Sequence, residues 1–250
     1  MTREFTWNHG AQAAVSFSFD DARLSQIDYG LAILAAYDAK ATFYVSPGAL
    51  EDRTEGWEIA ISRGHEIGNH TYTHPCSGNF DFAKDRALED YTLERMSAEL
   101  EKADEAIEAA LGVKPTTFAY PCGQTFVGRG EATRSYVPLV ASRFLAGRGF
   151  MAECANDPQS CDLARLNASA CDDLTAAPLI KLIESAVASG SWLIFAGHEI
   201  GNPKTGQNTM AGTLRTLLAY IRQNNDTIWL GTVAEVASYI DGTRRDDTEE

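Results

Sequence analysis

Ser16-Phe17-Ser18-Phe19-Asp20-Asp21 alternates small polar and aromatic residues, then stops on two adjacent carboxylates. With Val15 in front, the alternation has the period of two that a pleated strand imposes, and the paired acids fall where such a strand ends. Successive side chains diverge there, so one carboxylate can bind an ion while its neighbour faces a water molecule as a base. Further along, His70-Thr71-Tyr72-Thr73-His74 sets two imidazoles four residues apart. On a helix that spacing puts both rings on one face, within reach of one ion. A nearby carboxylate completes a three-ligand set and leaves a fourth position for water. Gly64-His65-Glu66-Ile67-Gly68-Asn69, before the pair, reads as a short strand opening into a turn. Functional groups gather at the carboxyl ends of strands in α/β folds, so both motifs can meet at one mouth. The combination implies metal-assisted hydrolysis.

Outward from these motifs, strand-like and helix-like segments alternate. Ile27 to Tyr37 has helical periodicity, Ala41 to Val45 reads as a strand closed by Pro47-Gly48, and Trp57 to Arg63 as a short helix ended by Gly64. Leu88 to Leu111 is a long helical stretch stopped by Gly112, with its charge on a solvated face. Strands follow at Thr116 to Tyr120 and Gly147 to Met151, with a helix between them at Val137 to Phe144. Then come a helix at Pro178 to Ser189, the apolar strand Trp192-Leu193-Ile194-Phe195, and helices at Thr213 to Arg222 and Val233 to Ile240. Repeated β-α units predict a mostly parallel sheet or barrel in a single domain spanning residues 1–250, with 241–250 as a polar, frayed tail. His198 lies just past the apolar strand, where a proton donor for a leaving group belongs. His65 falls within a strand and His9 near the N-terminus, and both read as structural.

The 250 residues carry a net charge of -14, which argues against nucleic acid or an anionic membrane as partner, since either prefers a basic face. No apolar run approaches the ~20 residues that span a bilayer. Met1 to Trp7 lacks the apolar core of a signal peptide, so the chain as it stands reads as cytoplasmic, or as secreted where an export signal has been removed. The five cysteines, Cys76, Cys122, Cys154, Cys161 and Cys171, include no CxxC pair and indicate neither a zinc ribbon nor a complete disulfide framework. Most read as free core residues. Cys76 and Cys122 are conceivable thiol ligands, and Cys154 can pair with Cys161 in an oxidising compartment.

Ser18-Phe19-Asp20-Asp21-Ala22, His70-Thr71-Tyr72-Thr73-His74, Phe118-Ala119-Tyr120-Pro121-Cys122-Gly123 and Phe195-Ala196-Gly197-His198 occur in the order of the motifs of the polysaccharide deacetylases. This family is carbohydrate esterase family 4, with the NodB-homology domain, and the chain resembles it from about residue 12 to about residue 240. The resemblance implies an α/β fold, a distorted (β/α) barrel of the NodB-homology type. It also implies that Asp21, His70 and His74 hold one divalent metal, zinc first, with cobalt, nickel or manganese as alternatives. By the same resemblance Asp20 is the base, His198 the acid, and the backbone N–H of Cys122 an oxyanion donor. The implied partner is an acetylated glycan, N- or O-linked, and the implied activity is removal of its acetyl groups. Oligomeric state is not legible.

Departures from the family pattern carry information. Ala22 stands where Gly is usual, and Ala119 where many members carry an Arg that orients the base. Arg148, in Ala146-Gly147-Arg148-Gly149-Phe150, is the candidate cation from another strand. Asp173 precedes the penultimate helix, where the family has an Asp that partners the acid His; Asp172 is an equal occupant, and Leu174 replaces the usual Trp. Two other readings are a hydrolase of C–N bonds in small cyclic amides on the same fold and a non-catalytic carbohydrate-binding relative. The intact Asp–His–His set argues against the first, and retention of Asp20 and His198 against the second. Choice among glycans is expected from the loops around the cleft, chiefly Pro75 to Arg86.

Overall fold

Ala13–Asp20 (β1) is buried along its whole length, and the alternation in its sequence sorts its two faces. Phe17 and Phe19 join an apolar cluster with helix residues Leu179, Ile183, Leu214 and Leu217. Ser16, Ser18 and Asp20, one residue out of phase, face the interior of a barrel. There Ser16 Oγ accepts a hydrogen bond from Trp192 Nε1 at 3.0 Å, and Ser18 Oγ donates to the Phe195 carbonyl at 2.8 Å.

The computed structural model of the chain describes residues 5–201 and 206–249. After β1 come Thr42–Val45 (β2), Glu66–Asn69 (β3), Thr117–Ala119 (β4), the hairpin Phe126–Val127 (β5) with Arg134–Ser135 (β6), and Ala146–Arg148 (β7). Ser169–Ala170 (β8), Trp192–Gly197 (β9), the small pair Glu199–Gly201 (β10) and Asn208–Met210 (β11), and Ile228–Leu230 (β12) follow. The main sheet is parallel throughout, in the order β7-β4-β3-β2-β1-β9-β8. β12 lies against Ala13–Val15, and β2 against Ser18–Asp20 further along the same strand. Residues 166–170 close the ring: Leu166 pairs with Arg148 of β7, while Ser169 and Ala170 pair with Phe195 and Ala196 of β9. The fold is therefore a distorted (β/α) barrel.

The helices are Leu31–Ala35 (α1), preceded by a π-helical turn at Gln26–Gly30, Thr54–Ser62 (α2), Leu93–Leu111 (α3), Val137–Arg143 (α4), Ala176–Ser189 (α5), Ala211–Gln223 (α6) and Val233–Glu249 (α7). α7 plugs the amino-terminal end of the barrel, with Val233, Val236, Ala237 and Ile240 packed against Ala14, Ala146, Trp192 and Ile194. Beneath it, Glu66 accepts hydrogen bonds from the Thr42 and Thr117 hydroxyls and from the Ala234 amide in the first turn of α7. Burial raises the Glu66 pKa, and these donors satisfy the carboxyl group that burial would otherwise orphan. Among the described residues, no helix is long and apolar enough to cross a membrane.

Two expectations about these elements need correction. The long helix begins at Leu93, not Leu88: Thr92 caps it by accepting from the Arg95 amide, and Leu88–Asp90 forms a separate 3-10 turn. Residues 241–249 are a continuation of α7 and not a frayed tail. Arg244 ties that segment down by donating to the Pro158 and Cys161 carbonyls, each at 2.9 Å, and Asp241 pairs with Arg245 one turn on. The short strands β8 and β12 carry too few residues for periodicity to reveal them.

Large and small residues alternate around the barrel interior. Tyr44 is the register partner of Gly68, and Arg148 the register partner of Ala119. A Cβ at Gly68 would collide with the Tyr44 ring, which is fully buried. Gly68→Ala is therefore expected to destabilise the fold by about 1–3 kcal/mol, the usual cost of overpacking, read as a lowered urea midpoint. Tyr44→Leu in the same chain should recover part of that loss.

Candidate active site

Asp20 ends β1 with 4% of its surface exposed, and its Oδ1 accepts a hydrogen bond from Arg148 Nη2. Arg148 is fully buried and reaches across the barrel mouth from β7. Its Nη1 donates to the Gly149 carbonyl at 2.8 Å, and its guanidinium carbon lies 4.9 Å from the centre of the Tyr44 ring. With Oδ1 engaged, Oδ2 is the oxygen of Asp20 that faces the imidazoles, 3.9 Å from His70 Nε2.

The chain turns sharply after Asp20. Asp21 and Ala22 both have positive φ, 72° and 51°, a conformation in which a Cβ costs about 1 kcal/mol or more. Gly would avoid that cost, but the Ala22 methyl is buried, which offsets about 0.8 kcal/mol of it. The turn carries Asp21 Oδ1 to 3.6 Å from His70 Nε2 and 3.5 Å from His74 Nε2. Arg23 Nη2 donates to the other oxygen of Asp21 at 2.9 Å.

The two histidines meet without a helix between them. Residues 70–74 form an irregular turn with positive φ at Thr71 (65°) and His74 (53°), which corrects the helical reading of the motif. Asn69 Oδ1 accepts from the Thr71 amide at 2.7 Å, and Thr71 Oγ1 from the His74 amide at 3.0 Å. α3 anchors the turn from outside. Asn69 Nδ2 donates to the Leu100 carbonyl and to Asp104 Oδ1, and Glu99 accepts from the Thr73 amide and hydroxyl. The result brings the imidazole centroids to 4.8 Å.

One ligand atom each from Asp21, His70 and His74 lies within 4.8 Å of the others, so this group can hold a metal ion. Its chemistry fits that use. His70 Nδ1–H donates to the Ala119 carbonyl at 2.8 Å, which leaves the Nε2 lone pair facing the group. Burial, with His70 close by, lowers the His74 pKa to about 4 and so keeps that ring neutral near pH 7. Burial acts to raise the Asp21 pKa, but the facing histidines and Arg23 outweigh it and hold the carboxyl at about 2. Two imidazoles and an ionised carboxylate make a mixed N/O donor set suited to a divalent ion.

His198 follows β9 on the opposite wall. Its Nδ1–H donates to Asp172 Oδ2 at 2.6 Å, and its amide to Asp172 Oδ1 at 3.2 Å. Burial pulls the His198 pKa down, yet the bond to Asp172 and the charges of Asp20, Asp172 and Asp21 raise it overall. Asp173 does not partner His198: it stands exposed at φ 56°, with its amide donating to the Asn208 carbonyl. Gln26, fully buried, was not singled out in the sequence; its Nε2 donates to both the Asp20 carbonyl (2.6 Å) and the His198 carbonyl (2.9 Å). A lone Gln in a helical run gives no signal of such a role.

Cys122 lies in the 3-10 turn Pro121–Gly123 at φ 54°, where the first amides have no intrahelical acceptor. Its sulfur forms a disulfide with Cys76, which removes both from consideration as thiol ligands. Cys154 and Cys161 do not pair; with Cys171 they are free. Cys161 Sγ and its carbonyl both accept from Arg244. His65 lies away from this mouth, its Nδ1 accepting from the Ala41 amide at 3.1 Å.

Asp20, Asp21, His70, His74, Cys122 and His198 all line one cleft of about 590 Å³. Phe80 and Phe82 stand exposed on the His74 side, where the Phe82 ring is 6.1 Å from His74. Phe150 and the exposed Met151 stand on the other, where Phe150 packs edge-on to His198.

Among curated proteins, the uncharacterized protein YlxY of Bacillus subtilis (strain 168) is 38% identical over 93 residues, 37% of this chain and 26% of that protein. Chitin deacetylase 1 of Cryptococcus neoformans var. grubii is 34% identical over 97 residues, 39% of this chain and 17% of that protein. The chain thus spans about a quarter or less of the length of the curated relatives it matches. A Mycobacterium smegmatis structure assigned as a polysaccharide deacetylase shares the fold, with a TM-score of 0.70 at 18% identity over 96% of this chain and 94% of that one. So does peptidoglycan deacetylase PdaC of Bacillus subtilis, with a TM-score of 0.59 at 17% identity over 94% of each chain. The family 4 acetyl xylan esterase of Clostridium thermocellum, solved in complex with a cobalt ion, gives 0.59 at 14% identity over 90% of this chain and 91% of that one. The model of the family described as polysaccharide deacetylase matches residues 8–135, more than half of the sequence, and this chain belongs to that family.

Proposed function

We propose that this protein removes acetyl groups from an acetylated glycan, with a divalent metal, zinc first, held by Asp21, His70 and His74. The observation that carries the reading is the split of Asp20: one oxygen on a buried Arg148, the other facing the group of possible metal ligands. A divalent ion bound there supplies Lewis-acid polarisation and makes water acidic enough to react near neutral pH. Asp20 takes the proton from the attacking water, while Arg148 keeps the carboxylate aimed. The Cys122 main-chain N–H donates to the carbonyl oxygen as that oxygen gains charge. His198, its Nδ1 committed to Asp172, protonates the departing amine or alcohol through Nε2. Phe80, Phe82 and Met151 leave apolar surface exposed on both walls of the cleft, and the apolar faces of sugar rings are a suitable cover for it.

The test is acetate release from a panel of acetylated chitin-like, peptidoglycan and xylan-type glycans, with and without a chelator, alongside metal analysis. Activity that survives complete metal removal overturns the metal assignment. Asp20→Asn is expected to keep the metal and lose about 10²–10⁴-fold in turnover, whereas Asp21→Asn should lose the metal itself. Equal metal loss in both variants would contradict the division between them.

Arg148→Ala should lower turnover about 10–100-fold with metal content retained. It should also lower thermal stability, because a buried carboxylate is left unpaired. Lys should recover only part of either loss, lacking the planar fork. Unaltered turnover in Arg148→Ala would show that something else orients Asp20.

For the acid, the raised pKa of His198 means that activity falls as pH climbs through it, because a proton donor must be protonated. Asp172→Asn removes the main cause of the rise. The alkaline limb of kcat/KM should therefore move to lower pH, and an unmoved limb in that variant would remove His198 from the role.

A further inference from the structure

The sheet fixes where β1, β3, β4 and β9 end, but apart from Asp20, the last residue of β1, the groups that do the proposed chemistry lie on turns beyond those ends. Two of the turns are joined covalently. Cys76 comes two residues after His74, Cys122 sits in the Pro121–Gly123 turn, and the disulfide links them across 46 residues of sequence at a Cα–Cα distance of 6.2 Å. Each turn contains a non-glycine residue in the left-handed region, His74 at 53° and Cys122 at 54°. Such conformations persist only where the surroundings hold them. The second brace between the turns is a hydrogen bond, from the Ser77 amide to Gln124 Oε1 at 2.7 Å.

We infer that the Cys76–Cys122 disulfide is a positioning element of the active site. It clamps the turn that carries the imidazole of His74 against the turn that aims the Cys122 N–H, so turnover depends on its oxidation state. The inference rests on the function proposed above. Cys76 is fully buried, whereas Cys122 lines the cleft, so a dithiol reductant attacks at Cys122 Sγ. One thiolate of the dithiol bonds to that sulfur and expels Cys76 as a thiolate, which takes up a proton. The second thiol of the reductant then closes its own disulfide and releases Cys122 as a thiol. Two electrons and two protons pass to the protein, and both cysteines end as thiols. The Cys122 N–H belongs to the main chain and is still present afterwards, but the link that fixed its direction relative to His74 is gone.

The experiment compares the untreated full-length protein, the same protein reduced with a dithiol and desalted without oxygen, and the Cys76→Ala/Cys122→Ala double variant, each with metal restored and quantified. Thiol counting in denaturant should give three in the untreated protein and five after reduction, as the three free cysteines and five in total require. Reduction is expected to lower kcat about tenfold with KM for the glycan within twofold, and reoxidation to restore it. The double variant should be equally slow and indifferent to reductant. Hydrogen exchange provides a readout independent of any substrate: amides in 70–77 and 121–124 should exchange at least tenfold faster in the double variant, while those of β1 and β9 stay unchanged. Five thiols before reduction, or turnover within twofold in the double variant, overturns the inference. If no glycan releases acetate even from untreated protein, the proposed function fails and exchange alone decides; unchanged exchange in both turns then overturns the positioning role.

Discussion

The contact between Arg148 and Asp20 is the constraint around which the upper half of the barrel is arranged. Neither side chain keeps appreciable contact with solvent, and an ion pair stripped of water is stable only where its geometry is held. The barrel supplies the hold. Arg148 is bonded to Gly149, stacked over Tyr44 and set opposite Ala119, whose small side chain leaves the guanidinium its space. Tyr44 in turn fits because Gly68 faces it. An Arg at Ala119 would compete for the volume that Arg148 fills from the neighbouring strand, so a cation on β7 and a small residue on β4 belong to one packing solution.

Strain gathers around that pair. Asp21, Ala22, Thr71, His74, Cys122 and Asp173 all have positive φ, and all lie in the turns that follow strands of the main sheet. Each costs something on its own, and each is held by a strand behind it and by specific bonds beside it. For the 70–74 turn, those bonds are Asn69, Thr71 and the acidic side chain of Glu99 on α3. The stable layer is the ladder of parallel strands with α7 beneath it; the chemically equipped layer is the rim of turns above.

Most of the barrel was legible because its strands and helices are long enough to show their periods, as in Val15–Phe19 and Trp192–Phe195. The residues of the Asp21–His70–His74 group were legible as residue types at a telling spacing, although the helical geometry first read into His70–His74 was wrong: hydrogen bonds to side chains, not helical rise, bring the rings together. Arg148 was legible only as a vacancy at Ala119 plus a nearby cation between glycines. The choice between Asp172 and Asp173 was not, since it depends on which of two neighbours takes a left-handed backbone. Nor was the Cys76–Cys122 link, because the adjacency of two residues far apart in sequence is created by β3 lying beside β4. Glu66 and Gln26 passed unnoticed for a similar reason, their partners being distant hydroxyls and main-chain groups.

Gln26 has one more consequence. Its single amide nitrogen bonds to the carbonyls of Asp20 and His198 at once, and the π-helical turn that carries it is wide enough to aim the side chain inward. The side chain thus bridges the ends of β1 and β9 just past their last ladder pair, Phe19 with Gly197. Glutamate, with no N–H to offer, would turn the same span into a repulsion between carboxylate and carbonyl oxygens. The residue works as a clasp: it ties together the two strand ends that carry Asp20 and His198, while lining no part of the cleft.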